Sequence, residues 1–425
     1  MSPLKVLADD RSAAMSTVPG GQKGFTGGTH RLIPPEETVA RVSRFMPVMG
    51  ITRIANVTGL DKIGIPVVMV CRPNSRSVSV SQGKGSDLAA AKASGLMESI
   101  ESYHAERITL PLKHGSYEDL RYTHRLIDVD RLPRRADSQF TSGRQLLWIE
   151  GRDLAGGQSL WVPYELVHLN YTVPMPTGHG CFIASSNGLA SGNHALEAIS
   201  HGICEVVERD ATTLWHLLDE TQQNRTRINL DSVEDPRCRE ALDRFAAANV
   251  WVAVWETTSD VGIPAFLCRA LEADPPPRST YRPSSGMGCH PSREVALLRA
   301  LTEAAQSRLT FISGARDDMP RGEYAEFLNP ETYETWRALM HSEWPGKEFS
   351  QVPTWQANSF EDDLSWELER LRAVGIDQVV VLDLTKPEFG ISVFRVVIPG
   401  LEGIDSSPKY RFGPRARAVM NGGAA

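Results

Sequence analysis

Three times along this chain a short extended stretch, punctuated by glycine, precedes a long run whose apolar residues recur every three or four positions. The first is SVSVSQGKG (77–85), which alternates and then breaks at two glycines, ahead of a helix predicted over 88–106. The second is CFIASSNGLASGN (181–193), read as strand and Gly/Asn loop, ahead of LEAISHGICEVVERDATTLW. The third is SSGMGCHPS (284–292), read as a Gly-rich loop, ahead of VALLRALTEAAQSRLTFI. Other strands are predicted at IPVVMVCRP (65–73), VWVAVWETT (250–258), IPAFLCRAL (263–271), QVVVLDLT (378–385) and SVFRVVIPG (392–400). Helices are predicted over 36–49, where a proline suits the first turn, and near 328–342 and 361–374. The pattern is α/β or α+β. No Pro/Ser/Gly linker divides it, so one large domain over 23–410 is expected. Residues 1–22 read as a flexible arm and 411–425 as a flexible tail, and the polar stretch within 105–160 reads as an insertion.

The three long helices each carry a polar row. Residues three apart on a helix project about 60° from one another. In the first, Leu96, Met97, Ile100 and Tyr103 share one side, with Glu98 and Glu101 roughly opposite. In the second, Leu196, Ile199, Ile203, Val206 and Val207 form the apolar stripe, with His201, Glu205 and Glu208 opposite. In the third, Leu298, Leu301 and Leu309 face inward, with Arg299, Glu303 and Gln306 together on the other side. Taken singly, each is an ordinary amphipathic helix with a solvated face, and Glu205 and Arg209 form an i,i+4 pair. Two features weigh against that. The neighbours of these charges are Ala, Ser and Gly (AKASG, AISHG, EAAQS) rather than the mixed Lys and Glu of a solvent face. The arrangement also occurs three times, each behind a Gly-rich segment.

Converging carboxylates cannot all stay charged without a cation between them. Oxygen ligands of this kind suit Mg²⁺, bound through a few carboxylates and substrate phosphates. Gly-rich loops and helix N-termini would offer N–H groups to phosphate oxygens. The combination points to a nucleotide held through magnesium. SQGKGSD does not have the P-loop spacing, and no GxGxxG opens a strand–helix unit.

Bulk properties narrow the partners. The 425 residues are 41% hydrophobic, enough for a large core, and the net charge of −7 argues against nucleic acid or an anionic membrane as a partner. No run approaches the ~18–20 apolar residues that span a bilayer. The start, MSPLKVLADDRSAAM, lacks the basic and apolar regions of a secretion signal, so a cytoplasmic protein is expected. None of the six cysteines is arranged as CxxC, which gives no support for structural zinc.

SQGKGSDLAAAKASGLMESIESYHAE, SSNGLASGNHALEAISHGICEVVERDA and GCHPSREVALLRALTEAAQSR with GARDD resemble, in order, the three signatures of the YcaO family. VVIPGLEG resembles its closing strand, and the similarity runs from roughly residue 30 to 405. The resemblance implies an α+β YcaO-type fold with mixed sheets and a carboxylate-rich Mg-ATP site that activates backbone amides of peptides. It implies that Glu98, Glu101, Glu205 and Glu208 hold Mg²⁺. It implies that Glu197, Arg209, Arg299, Glu303 and Gln306 line the ATP site, with Ser94 and Asn187 nearby and Arg31 and Thr38 on the phosphates. The first signature often reads ExxER, and Ser102 and Tyr103 replace its end here.

In that chemistry a nucleophile adds to the amide carbonyl and the oxygen is phosphorylated before it leaves. A neighbouring Cys, Ser or Thr side chain gives an azoline, and external sulfide gives a thioamide. The ending KYRFGPRARAVMNGGAA lacks the PxPxP pattern of azoline-forming members. The run GITRIANVTGLDKIGIPVVMVCRPNSRSVSVSQGKG resembles the subgroup that works beside a TfuA-type partner in thioamide formation. The expectation is therefore thioamidation of a peptide or protein, with a TfuA-type partner. A homodimer is a general expectation for soluble enzymes. An ATP-dependent carboxylate–amine ligase and a scaffold without ATP turnover are the other readings.

Overall fold

The computed structural model describes residues 21–274, 283–318, 322, 330–341, 344–403 and 410–423. The arm expected at 1–22 lies almost wholly outside the described residues. The elements used below are, in chain order, α1 (Pro35–Ser43), β1 (Arg53–Asn56), β2 (Val67–Cys71), β3 (Val80–Lys84), α2 (Leu88–Ala105), β4 (Leu112–Ser116), β5 (Gln145–Asp153), β6 (Ser159–Pro163), β7 (Leu189–Gly192) and α3 (Ala195–His216). They continue with α4 (Pro236–Ala247), β8 (Val250–Glu256), β9 (Ala265–Glu272), β10 (Ser284–Cys289), α5 (Arg293–Ser313), α6 (Phe360–Ala373), β11 (Val380–Asp383), β12 (Ser392–Val397) and α7 (Pro414–Met420).

Three antiparallel sheets carry the three long helices. β1-β2-β3 underlies α2, β8-β9-β10 underlies α5, and a six-stranded sheet in the order β4-β5-β11-β12-β7, with β6 on β5, supports α3. Each helix starts on a side chain that accepts its free N–H groups: Asp87 from Ala90, His194 from Leu196, and Ser292 from Val295.

Gly83 of the first segment and Gly286 and Gly288 of the third are strand residues rather than loops, while Gly85 follows the end of β3. A Cβ on Gly83 would overlap the Ala91 carbonyl and the Gly95 amide, and one on Gly288 would come within 2.7 Å of Ala300 N and 2.8 Å of Arg299 Cβ. They let strand and helix backbones touch. In the second segment the strand is confined to Leu189–Gly192. Before it, the Gly180, Cys181 and Phe182 amides donate to the Glu165 carboxylate instead of to a sheet.

Three further expectations are corrected. The helix predicted over 36–49 divides into Pro35–Ser43 and a turn at Met46–Met49, because Pro47 has no N–H to continue it. The region read as an insertion supplies β4 and β5 of the largest sheet and leads into β6. Trp148, fully buried in β5, donates to Gly115 O of β4 at 2.9 Å. The tail expected at 411–425 contains α7. Arg415 on it donates to both oxygens of Asp210 at 3.0 Å, and Ala416 and Val419 pack against Leu214 of α3. Among the described residues no helix is long and apolar enough to cross a membrane.

Candidate nucleotide and metal site

The apolar stripes read from the sequence are core. Leu96 and Ile100 of α2, Leu196, Ile199 and Ile203 of α3, and Leu301 and Leu309 of α5 are all at most 1% exposed. Burying those stripes turns the three polar rows toward one another across a cavity of about 820 Å³. α2 lends it Ser94, Glu98 and Glu101. α3 lends it Glu197, Glu205, Glu208 and Arg209. α5 lends it Arg299, Glu303 and Gln306, and Arg31 enters from the N-terminal segment. Eleven of the thirteen residues proposed from sequence thus line one cavity.

Thr38 and Asn187 do not line it. Thr38 is fully buried on α1, where its hydroxyl donates to Pro34 O and accepts from Asn193 Nδ2 at 3.0 Å. It braces the turn before α3. Asn187 lies in the bend before β7, with its Oδ1 buried and unpartnered.

The glutamates carry the electrostatic signature of a cation site. Burial pushes Glu98 up to about 7, against the opposing charges of Lys84 and Arg316. Burial, with repulsion from Glu98 and Glu205, pushes Glu101 up to about 8. It is pushed up although Ser191 donates to it through its hydroxyl at 2.7 Å and its amide at 2.8 Å. Glu205 and Glu208 are also raised, first by burial, with Arg209 opposing. Arg209 is no simple i,i+4 partner. It stands 3.8 Å from Glu205 and 3.7 Å from Glu208, too far to neutralise either fully, and its Nε is buried without a partner.

A second group is cationic. Arg31 lies 3.8 Å from Glu197, whose other oxygen accepts from the Leu32 amide at 2.9 Å. Arg299 Nη2 donates to His201 Nε2 at 3.0 Å, which requires a neutral imidazole there. Burial, and then the Arg299 charge, hold His201 well below the usual histidine range. Lys84 pairs with Glu303, which also accepts from the Met287 amide. Burial works against the Glu303 carboxylate, but Lys84 and Arg209 outweigh it and keep it below the usual range.

Carboxylates whose proton affinity burial raises, in a cavity that also holds Arg31, Arg299 and Lys84, fit a nucleotide with Mg²⁺: cations for phosphate, oxygens for metal. Among the described residues no three of His, Cys, Asp and Glu come close enough to hold a metal by themselves. Mg²⁺ keeps waters and takes one or two carboxylates plus phosphate oxygens. Lys84 was not among the residues chosen from sequence. Its signal was a lysine between two glycines at the end of a strand that packs against a helix. Ser191 was also missed, since nothing in LASG marks a carboxylate partner.

A family model described as YcaO cyclodehydratase, ATP- and Mg²⁺-binding, matches residues 82–402. An uncharacterized protein in the tfuA 3′ region of Rhizobium leguminosarum bv. trifolii is 36% identical over 417 residues, 96% of this chain and 98% of that protein. The structure of YcaO from Methanopyrus kandleri, bound with AMPPCP and Mg²⁺, superposes with a TM-score of 0.69 at 20% identity, covering 90% of this chain and 94% of that one. A heterocyclase in complex with substrate and cofactor gives 0.72 at 23% identity, covering 91% of this chain and 54% of that one. The fold is thus the α+β YcaO fold, and the chain belongs to the YcaO family of ATP- and Mg²⁺-binding proteins.

Proposed function

We propose that the protein is an ATP- and Mg²⁺-dependent enzyme that activates a backbone amide of a ribosomally made peptide or protein and replaces its oxygen with sulfur from an external donor. A TfuA-type protein is its partner in this reading. The observation that carries the sulfur branch is the relative in a tfuA region, similar over 96% of the chain. ATP supplies the phosphoryl group that turns an amide oxygen into a leaving group, and Mg²⁺ neutralises phosphate charge.

The chain's own residues do the rest. Glu98, Glu101, Glu205 and Glu208 would hold magnesium ions, one or two carboxylates to each ion together with phosphate oxygens, and their raised proton affinity keeps the cavity from carrying four uncompensated negative charges while it is metal-free. Arg31, Arg299 and Arg209 take phosphate oxygens. Ser94, Glu197, Glu303 and Gln306 orient the nucleotide. Ser191 fixes one oxygen of Glu101 and leaves the other for a ligand.

Azoline formation is the second reading, favoured by the cyclodehydratase description of the family. Mass spectrometry of a peptide treated with the enzyme, Mg-ATP, sulfide and the TfuA-type protein separates the two. Exchange of oxygen for sulfur is expected. Loss of water with no sulfur gained would replace thioamidation with azoline formation.

A further inference from the structure

The two ends of the cavity differ in charge. At one, Arg31 and Arg299 stand together beside Glu197 and His201. At the other, the wall is made by Ser77, Val78, Tyr171, Ser185 and Phe311. This second end is one built region. The Tyr171 amide donates to Arg76 O at 2.9 Å, and the Ser79 amide to Asp317 at 3.2 Å, just beyond α5. Arg316 and Asp318 border the cavity there and pair with one another. The charge of Arg316 reaches Glu98, so this end adjoins the carboxylates of α2.

Gln82 stands between the two ends. Residues two apart on a strand share a face, and Gln82 and Lys84 both turn from β3 to α5. Lys84 pairs with Glu303, and Gln82 reaches Thr310, further along the helix. Gln82, Lys84, Glu98 and Thr310 all line the cavity. The Gln82 backbone N–H donates to Glu98 Oε1 at 3.4 Å. Its side-chain Oε1 accepts from the Thr310 hydroxyl at 2.6 Å, shorter than the 2.9 Å from that hydroxyl to Gln306 O. With Oε1 fixed on α5, what the side chain has left to offer is Nε2, which is buried without a partner. An unmet buried donor is costly, and methionine would fill the place without that cost. A carbonyl oxygen brought into the cavity would meet it.

We propose that Gln82 is a catalytic residue whose Nε2–H holds the carbonyl oxygen of the backbone amide being activated. This rests on the amide-activation reading above and holds for either nucleophile. The cationic end takes phosphate, and the end without net charge takes an uncharged stretch of peptide backbone. With hydrosulfide, the sulfur lone pair forms the C–S bond and the carbonyl π pair moves to oxygen. That oxygen leaves as phosphate with the γ-phosphoryl group of ATP, and the sulfide proton ends on the phosphate. Amide, hydrosulfide and ATP thus become thioamide, ADP and monohydrogen phosphate, with no electron gained or lost. A carboxamide N–H stabilises the oxyanion without giving up its proton. An ammonium or carboxylic acid there would protonate the oxygen and quench its attack on phosphorus.

Two experiments test it. In crystals of the wild type soaked with Mg-AMPPCP and N-acetylglycine N-methylamide, a small stand-in for peptide backbone, an amide carbonyl oxygen is expected within hydrogen-bond reach of Gln82 Nε2. None is expected there in Gln82→Met. No amide at Gln82 in the wild type overturns the proposal. In solution, Mg-ATP affinity should agree within about twofold between wild type and Gln82→Met, while kcat in the peptide reaction assayed by mass spectrometry falls about 10²–10³-fold. Gln82→Glu can donate only while its acid is protonated. Its kcat relative to the wild type should therefore rise as pH falls, which a merely structural role would not produce. Thr310→Val frees Oε1 and should lower kcat about tenfold, and Thr310→Ser should keep most of the activity. A kcat for Gln82→Met within about threefold of the wild type overturns the proposal. So does loss of Mg-ATP binding in Gln82→Met, which would place the glutamine in the nucleotide site. An amide bound at Gln82 with oxygen retained in every product keeps the amide subsite and removes the activation reading. Oxygen lost from the peptide at an unchanged rate in Gln82→Met keeps that reading and removes Gln82 from it.

Discussion

Glu98→Gln should make the metal-free protein more stable at pH 8 and less able to bind its ligand. Burial lifts the folded-state pKa of Glu98 from 4.5 to about 7. A raised carboxylate contributes stability below its unfolded pKa and loses it as pH rises through the folded one. At about 1.4 kcal/mol per pKa unit the full loss is ~3.4 kcal/mol, and contact with the open cavity reduces it to about 2 kcal/mol. Glutamine carries no charge and does not incur that loss. Urea denaturation of both proteins in EDTA at pH 5, 6, 7 and 8 gives the difference directly. The two should match near pH 5, and the variant should lead by about 1–2 kcal/mol at pH 8. Mg²⁺ with ATP should reverse the order, since ligand at a hundred times its Kd adds about 2.7 kcal/mol to a protein that binds it. A difference between the two proteins that is flat from pH 5 to 8, or that favours the wild type as pH rises in EDTA, would refute the reasoning.

Other consequences lie away from the metal. Gly288→Ala drives a methyl group into the α5 backbone and should cost about 3 kcal/mol or more, read by urea denaturation. Glu106 holds Arg72 through two bonds of 2.6 Å and accepts from the Ser77 hydroxyl at 2.6 Å, so Glu106→Ala should cost ~3–5 kcal/mol, and the double change Arg72→Met with Glu106→Leu should recover most of it.

The helices and their polar rows were legible because a 3.6-residue period survives in sequence, and because small residues beside Glu98 and Glu205 marked a packed surface. The glycines were seen and their role was not. A one-dimensional pattern does not show that Gly83 and Gly288 face a helix backbone, so a close packing contact read as a phosphate loop. β5 was hidden because LLWI, its buried core, is flanked by polar residues, so the stretch read as irregular although it pairs with the neighbouring β4 and β6 as well as with the distant β11. Thr38 was a hydroxyl at the right distance along the chain, but α1 turns it onto Asn193. Gln82 was visible only as a polar residue in an alternating strand, and its unmet donor appears once β3 meets α5.

The central claim is that the carboxylates of α2 and α3 face a shared metal and nucleotide. It is tested most directly by calorimetric titration of ATP with Mg²⁺ into the wild type and into Glu205→Gln, with circular dichroism confirming that both are folded. This account predicts binding by the wild type and none by the variant. Equal affinity in the two proteins would contradict it.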